Sequence, residues 1–241
     1  MNKINLVAIS CFILIGISTV AQTDLNNLLN SATGSQLGQG LSNDKIIKGL
    51  KEALSVGTKK TTEKVSKLDG YYKNPLIKIP FPKEAKEMES TLKSIGMSKQ
   101  VDSFVKTMNR AAEDAAVKAT PIFINAITSM SITDGLNILR GGDNAATMYL
   151  LKNTNAALLK EFKPVVTTSL KKVEITKYWN PLVKSYNQVP MVKKMNPNLD
   201  DYVTGKAIEG LFKMIADEEK KIRKDPQARV TNLLQDVFGK K

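Results

Sequence analysis

The chain has 241 residues, with 36 lysines and arginines against 23 aspartates and glutamates, a formal net charge of +13, no histidine and one cysteine. That inventory excludes serine–histidine and cysteine–histidine hydrolases, and it removes the commonest general base near neutral pH and the commonest nitrogen ligand for zinc and copper. A reaction centre would have to run on carboxylates, lysines or tyrosines, and neither a cofactor nor a metal is expected.

Met1-Asn2-Lys3 supplies a short positive start, Ile4 to Ile17 a mostly apolar run, and Thr19-Val20-Ala21 a small-residue exit. A helix needs about 20 apolar residues to span a bilayer, and this run is shorter. Its length matches the hydrophobic region of a signal peptide, about 7–15 residues. Residues 1–21 are therefore expected to be cleaved near Ala21, leaving an exported protein, periplasmic or secreted, with no transmembrane span. Cys11 leaves with them. A lipoprotein reading of Ala8-Ile9-Ser10-Cys11 leaves a hydrophobic region of only about six or seven residues, below the usual minimum. Residues 22–41 read as a leader, a short helical piece at Asp24–Ser31 followed by the flexible Gly/Ser/Gln stretch Ala32–Gly40.

From residue 42 onward the pattern is helical. Ser42 offers an N-cap to a helix whose stripe, Ile46, Ile47, Leu50, Leu54, Val65 and Leu68, stops at Gly70. Tyr71 to Pro82 is the non-helical exception, because Pro75, Pro80 and Pro82 forbid a continuous helix. Ile77, Ile79 and Phe81 alternate with Lys78 and Pro80, which predicts an extended arm with one apolar face packed over a bundle. A helix follows from about Lys83 to Ile95, closed by Gly96. Ser98 then caps another, on which Val101, Phe104, Val105, Met108, Ala112, Ala115 and Ala119 repeat. Its alanines make a thin surface that a neighbouring helix can approach. Pro121 kinks or restarts the chain, Ile122 to Met130 is apolar enough to sit fully inside, and Thr133 opens a short helix ending at Arg140-Gly141-Gly142. Asp143 caps its successor, Asn144 to about Phe162, and Pro164 restarts the chain toward Val173. Tyr178–Asn187, Leu199–Lys224 and a last helix opened by Asp225 and Pro226 complete the set. The expectation is an all-α fold, a single irregular multi-helix bundle of roughly nine helices over residues 42–239, with no internal repeat.

Met108-Asn109-Arg110-Ala111-Ala112-Glu113-Asp114-Ala115, Pro121-Ile122-Phe123, Thr133-Asp134-Gly135 through Ile138-Leu139-Arg140-Gly141, Ala145-Ala146-Thr147-Met148-Tyr149 and all of Tyr202 to Phe238 together carry a resemblance. They resemble the bacterial exported helical family known as domain of unknown function 4197, over about Leu41 to Gly239. The resemblance implies export and an all-helical fold, and it implies no chemistry. Gly135 departs from the family pattern, in which Ala is expected.

The basic excess is uneven. Residues 44–99 sum to +6, 163–203 to +4 and 204–241 to +3, whereas 100–162 hold six bases and six acids. Solvated helix faces account for most of that excess. Arginine is the unusual choice: against 32 lysines there are four, Arg110, Arg140, Arg223 and Arg229. Arg110 lies beside Glu113, Arg140 beside Asp143, and Arg223 four residues after Glu219 on one helix face. Arg229 follows Asp225. In a lysine-rich chain, a planar bidentate fork suggests partly buried ion pairs that lock helices, or else an arginine pocket for an anion centred on Arg140 and Arg223. Glu113-Asp114 and Glu218-Glu219 are adjacent pairs that cannot face one point from a helix. Asp134 and Asp143 read as capping and loop residues.

The favoured expectation is a non-enzymatic envelope protein that binds an unknown envelope partner or a small apolar or anionic ligand. One alternative is a carboxylate-based hydrolase using Glu113, Asp134 or Glu219. Another is a binder of anionic surfaces or nucleic acid. No nucleic-acid module is recognisable, and Arg140-Gly141-Gly142-Asp143-Asn144 lacks the strand and the Lys-Ser/Thr ending of a phosphate loop.

Overall fold

The computed structural model describes residues 42–94, 96–171, 179, 183–184, 187–188, 190–191, 194 and 199–225. Among them are seven α-helices and no strand: α1 (Asn43–Ser66), α2 (Lys86–Ser94), α3 (Ser98–Ala116), α4 (Ala119–Thr128), α5 (Ile132–Arg140), α6 (Ala145–Lys171) and α7 (Leu199–Lys224). All belong to the unit Asn43–Lys241. The expected signal peptide, leader, final helix and Arg229 lie outside the described residues. So does most of the Tyr178–Asn187 helix, although Trp179 and Val183 are seen to be buried.

Helices α3, α6 and α7 form the centre, with α1 packed across α4, α5, α3 and α7. The expected thin surface on α3 is where this centre closes. Ala111, Ala112, Ala115 and Ala116 are all fully buried, so the neighbouring backbones approach where larger side chains would hold them apart. Phe123 of α4 meets Phe212 of α7 edge-on, with ring centroids 5.8 Å apart.

Punctuation differs from the sequence expectation at several places, each for a local reason. Helix α2 ends in a Schellman turn, Met97 N–H to Leu92 O and Gly96 N–H to Lys93 O, with Gly96 at φ 86°. That turn carries the chain straight into α3, so Met97 holds the cap position without a side-chain bond and Ser98 is already helical. Ser131, not Thr133, caps α5, through a reciprocal capping box with Asp134. Pro164 does not restart the chain but lies inside the continuous α6. Its ring faces solvent, as does Lys160, whose carbonyl loses the i→i−4 bond, so the lost bond is exposed to water. Only Phe123, Ile127 and Met130 of the stretch 122–130 are buried; Asn125, Thr128 and Ser129 reach the surface.

The arm is present, and its first half is folded into turns rather than extended. Asn74 accepts the Leu76 N–H on Oδ1, while its carbonyl takes the Ile77 and Lys78 N–H groups. Beyond it Ile77, Ile79 and Phe81 are buried as the alternation predicts. Phe81 packs against Phe104 of α3 at 5.2 Å and against Trp179 at 5.9 Å between centroids.

Gly135, where the resemblance implies Ala, is accounted for by α1. A Cβ at this position meets Ile47 Cδ1 at 2.4 Å, while the other Ile47 carbons stay at 3.4 Å or more. The Ile47 terminal methyl occupies the volume an alanine would fill. Gly135→Ala is therefore expected to stabilise an Ile47→Val background by about 1 kcal/mol, the helix-propensity gain over glycine. In the Ile47 protein the same change should be near neutral or destabilising. Equal effects in the two backgrounds, read from urea midpoints, would refute this steric exchange.

Candidate functional site

Two of the nominated carboxylates are buried, and each ties together elements distant in sequence. Glu113 faces the point where α1 gives way to the arm. Its Oε1 accepts the N–H groups of Tyr71 (3.0 Å) and Tyr72 (3.1 Å), and its Oε2 accepts Arg110 Nη1. Arg110 also donates through Nη2 to Asp69, which sits at φ 70° in the turn leaving α1. One turn before Glu113, Asn109 takes both backbone groups of Ile79, its Oδ1 accepting the N–H and its Nδ2 donating to the C=O, each at 2.8 Å. Tyr71 adds a third tie, its hydroxyl donating to Ala207 O at 2.7 Å. The arm is thus held by side chains from α3 in place of a partner strand.

Glu219 closes the second junction. Its Oε1 accepts Ala146 N–H at 2.9 Å, and its Oε2 accepts both the N–H and the hydroxyl of Thr147 at 2.8 Å. The N-terminus of α6 is therefore capped from α7, where amides left free by the first turn meet a negative charge. Arg223 completes the arrangement, donating Nε to Glu219 at 2.9 Å and Nη2 to Ile138 O at 2.8 Å near the end of α5. One ion pair thereby grips the end of one helix and the start of the next across the Gly141-Gly142 turn.

The remaining candidates part ways. Asp143 was expected to cap α6 beside Arg140; instead it pairs with Lys224 at 2.6 Å, because Glu219 already fills the capping position. Arg140 is exposed and makes no ion pair among the described residues, which corrects the expectation of four partly buried arginine pairs and of an Arg140–Arg223 pocket. The reason is geometric: Arg140 ends α5 and Gly141 turns away in extended conformation, carrying Asp143 toward α7. Asp134 belongs to the α5 capping box, and Asp114 accepts the Ser169 hydroxyl at 2.9 Å. Asn109 and Thr147 were not nominated. An amide between Met108 and Ala111 on an apolar helix face was the available signal for the first.

Hydrogen bonding fixes the pH response. The carboxyl of Asp69 is lowered first by its bond to Lys73, that of Asp134 by the Ser131 hydroxyl, that of Asp143 by Lys224 and that of Glu209 by Lys206. Each therefore adds stability that is complete above the ordinary carboxyl range and lost as pH falls through the lowered folded values. Burial raises the phenol of Tyr71 and pushes that of Tyr202 up to about 12. Their contribution is complete below the ordinary tyrosine value and lost as pH climbs from about 10 upward. With no histidine to titrate between, urea midpoints should stay level from about pH 5 to 9 and fall on either side. A step near pH 6.5 would contradict this assignment.

Two surface grooves among the described residues carry both acidic and basic side chains. One, about 400 Å³, runs between the arm and α7. Leu76, Pro80 and Tyr202 supply apolar lining, and Lys78, Lys83, Lys206 and Lys213 line it together with Glu84 and Glu209. Gly210 makes this approach possible, since a Cβ there meets Tyr71 Cε1 at 2.8 Å and Ile77 Cβ at 3.1 Å. The other, about 520 Å³, lies between α4 and α6, where Asn125, Ser129, Tyr149 and Asn153 face Asp134 and Lys152. Among the described residues no group of carboxylates is placed to hold a metal ion, and no single helix is long and apolar enough to cross a membrane.

A family model described as "Protein of unknown function (DUF4197)" matches residues 40–239. The chain belongs to the DUF4197 family. The match takes in both clasps and both grooves of this DUF4197 protein. No curated protein and no solved structure gives a match.

Proposed function

We propose that this DUF4197 protein is an exported, non-enzymatic component of the cell envelope that binds an amphipathic anion in the groove between the arm and α7. Export rests on residues 1–21 alone. The observation that carries the binding reading is the groove itself, lined by apolar side chains together with four lysines and two glutamates. Lys206 and Lys213 both engage Glu209, and Lys78 lies 4.7 Å over the Tyr72 ring. The lining therefore carries a net positive charge beside a surface suited to a hydrocarbon body. The competing hydrolase reading needs a carboxyl free to exchange a proton with substrate. Glu113 and Glu219 are instead engaged by backbone amides and arginine on both oxygens, and Asp134 is held by the Ser131 amide and hydroxyl, which supports a scaffold over a reaction centre.

Isothermal titration of the mature protein with decyl phosphate, decanol and inorganic phosphate tests the assignment. Decyl phosphate should bind, the two fragments should not, and Lys78→Glu with Lys83→Glu should weaken binding at least tenfold. No binding of decyl phosphate, or equal binding by the variant, removes the groove from the proposal.

A further inference from the structure

A second face of the molecule has the opposite character. From Ala119 to Leu159 the chain carries only four charged residues, Asp134, Arg140, Asp143 and Lys152, which sum to zero. This stretch is α4, α5 and the first half of α6, the three helices around the 520 Å³ groove. Apart from these four, its surface is mainly amides, hydroxyls and apolar groups, and Ile132, Met148 and Leu159 stand 48%, 54% and 43% exposed on the same helices. We infer that two copies of this chain associate through this face of zero net charge.

Charge selects the occupant. A second copy brings the same strong positive charge, so contact through lysine-bearing faces is repulsive, and a face of zero net charge is the approach that avoids it. Charge-depleted surface with exposed apolar side chains is also the composition found at the centre of protein interfaces. A twofold contact must be self-complementary, since one patch meets its own copy. The groove meets that condition: its two charges are opposite in sign, so Asp134 of each copy can face the partner's Lys152. Asp134 commits Oδ2 to Ser131 and lies within the electrostatic reach of Lys152 across the groove, so both charges face the same opening. Asn125 and Asn153 flank them with amides able both to donate and to accept.

Sedimentation equilibrium of the mature chain across the micromolar range tests the inference. A monomer–dimer equilibrium is expected, tightened by added salt because the residual repulsion is long-range and screened. Lys152→Glu sets acid against acid and should weaken the dimer at least tenfold. Ala157→Arg, on the exposed groove wall, should do the same by bulk and charge. Lys106→Glu on α3 should leave the dimer intact or tighten it, and circular dichroism checks that all three variants fold. The Lys78→Glu and Lys83→Glu changes on the arm groove should not weaken it, which separates this inference from ligand binding there. A monomer at every concentration, or a dimer indifferent to both groove variants, overturns it. So does a monomer that sediments with phosphatidylcholine vesicles unless Ala157→Arg is present, because the face would then be a lipid surface.

Discussion

Glu219→Ala is expected to cost about 3–5 kcal/mol of folding stability, the range for removing one partner of a buried, hydrogen-bonded ion pair. Three donors lose their acceptor together: the amides of Ala146 and Thr147 and the Thr147 hydroxyl, all buried. Each buried donor left without a partner costs about 1–3 kcal/mol, and the first turn of α6 also loses the negative charge that suits its amide end. Arg223 keeps its bond to Ile138 O but loses its bonds to Glu219. For a domain of this size each kcal/mol moves Tm by about 2–4 °C, so the variant should melt about 10 °C below the parent. Glu219→Gln keeps one acceptor oxygen and should fall between. Lys224→Ala, which removes the exposed pair with Asp143 nearby, should change stability by about 0.5 kcal/mol or less. A Glu219→Ala variant within about 1 kcal/mol of the parent would show that water or another side chain replaces the cap, and the clasp would lose its structural role.

The same junction shows what could be read before the fold was known. Arg223 and Glu219 are four residues apart on one helix, so their pairing is a local property that spacing alone predicts. What the pair holds is not local. Ala146 lies 73 residues before Glu219, and no feature of Asp225 or Asp143 announces that α7 will cap α6. A sequence reading assigns the cap to the nearest acid, Asp143, because capping is ordinarily local. The arm behaves likewise. Three prolines and the Ile77, Ile79, Phe81 alternation identify it, yet its turns depend on Asn74 and its attachment on Asn109, which a periodicity argument passes over as an interruption in an apolar face. Helix existence survives because hydrophobic period is written into each segment. Helix starts and side-chain partners shift because they depend on what arrives from elsewhere in the chain. The two grooves were not legible at all, since each is bounded by elements brought together only by packing.

Asn109 is where the largest effect on the arm is expected. Its amide replaces a neighbouring strand for one residue, giving Ile79 both an acceptor and a donor in a fully buried setting, with a further bond from Nδ2 to Val105 O at 2.7 Å. Asn109→Ala leaves the Ile79 N–H and C=O without partners and opens a small void between Met108 and the alanine face. We expect a loss of about 3–4 kcal/mol from two unsatisfied backbone groups and the lost packing. Asn109→Asp separates the two halves of the interaction. Its carboxylate still accepts the Ile79 N–H but turns a second acceptor toward Ile79 O and Val105 O. Protonation restores the donor, so burial and these carbonyls raise the new carboxyl above the ordinary value near 4. Measured against the parent at each pH, its deficit should therefore be smallest in acid and grow as pH rises through the unfolded value. Trp179, the single tryptophan, reports the arm directly because its ring packs on Phe81. Release of the arm exposes it to water, so both variants should red-shift its emission under conditions where far-ultraviolet circular dichroism still shows the helices intact. Emission that moves only together with the loss of helix would mean that the arm and bundle unfold as one unit, and that Asn109 stabilises the whole core instead of latching a separable segment.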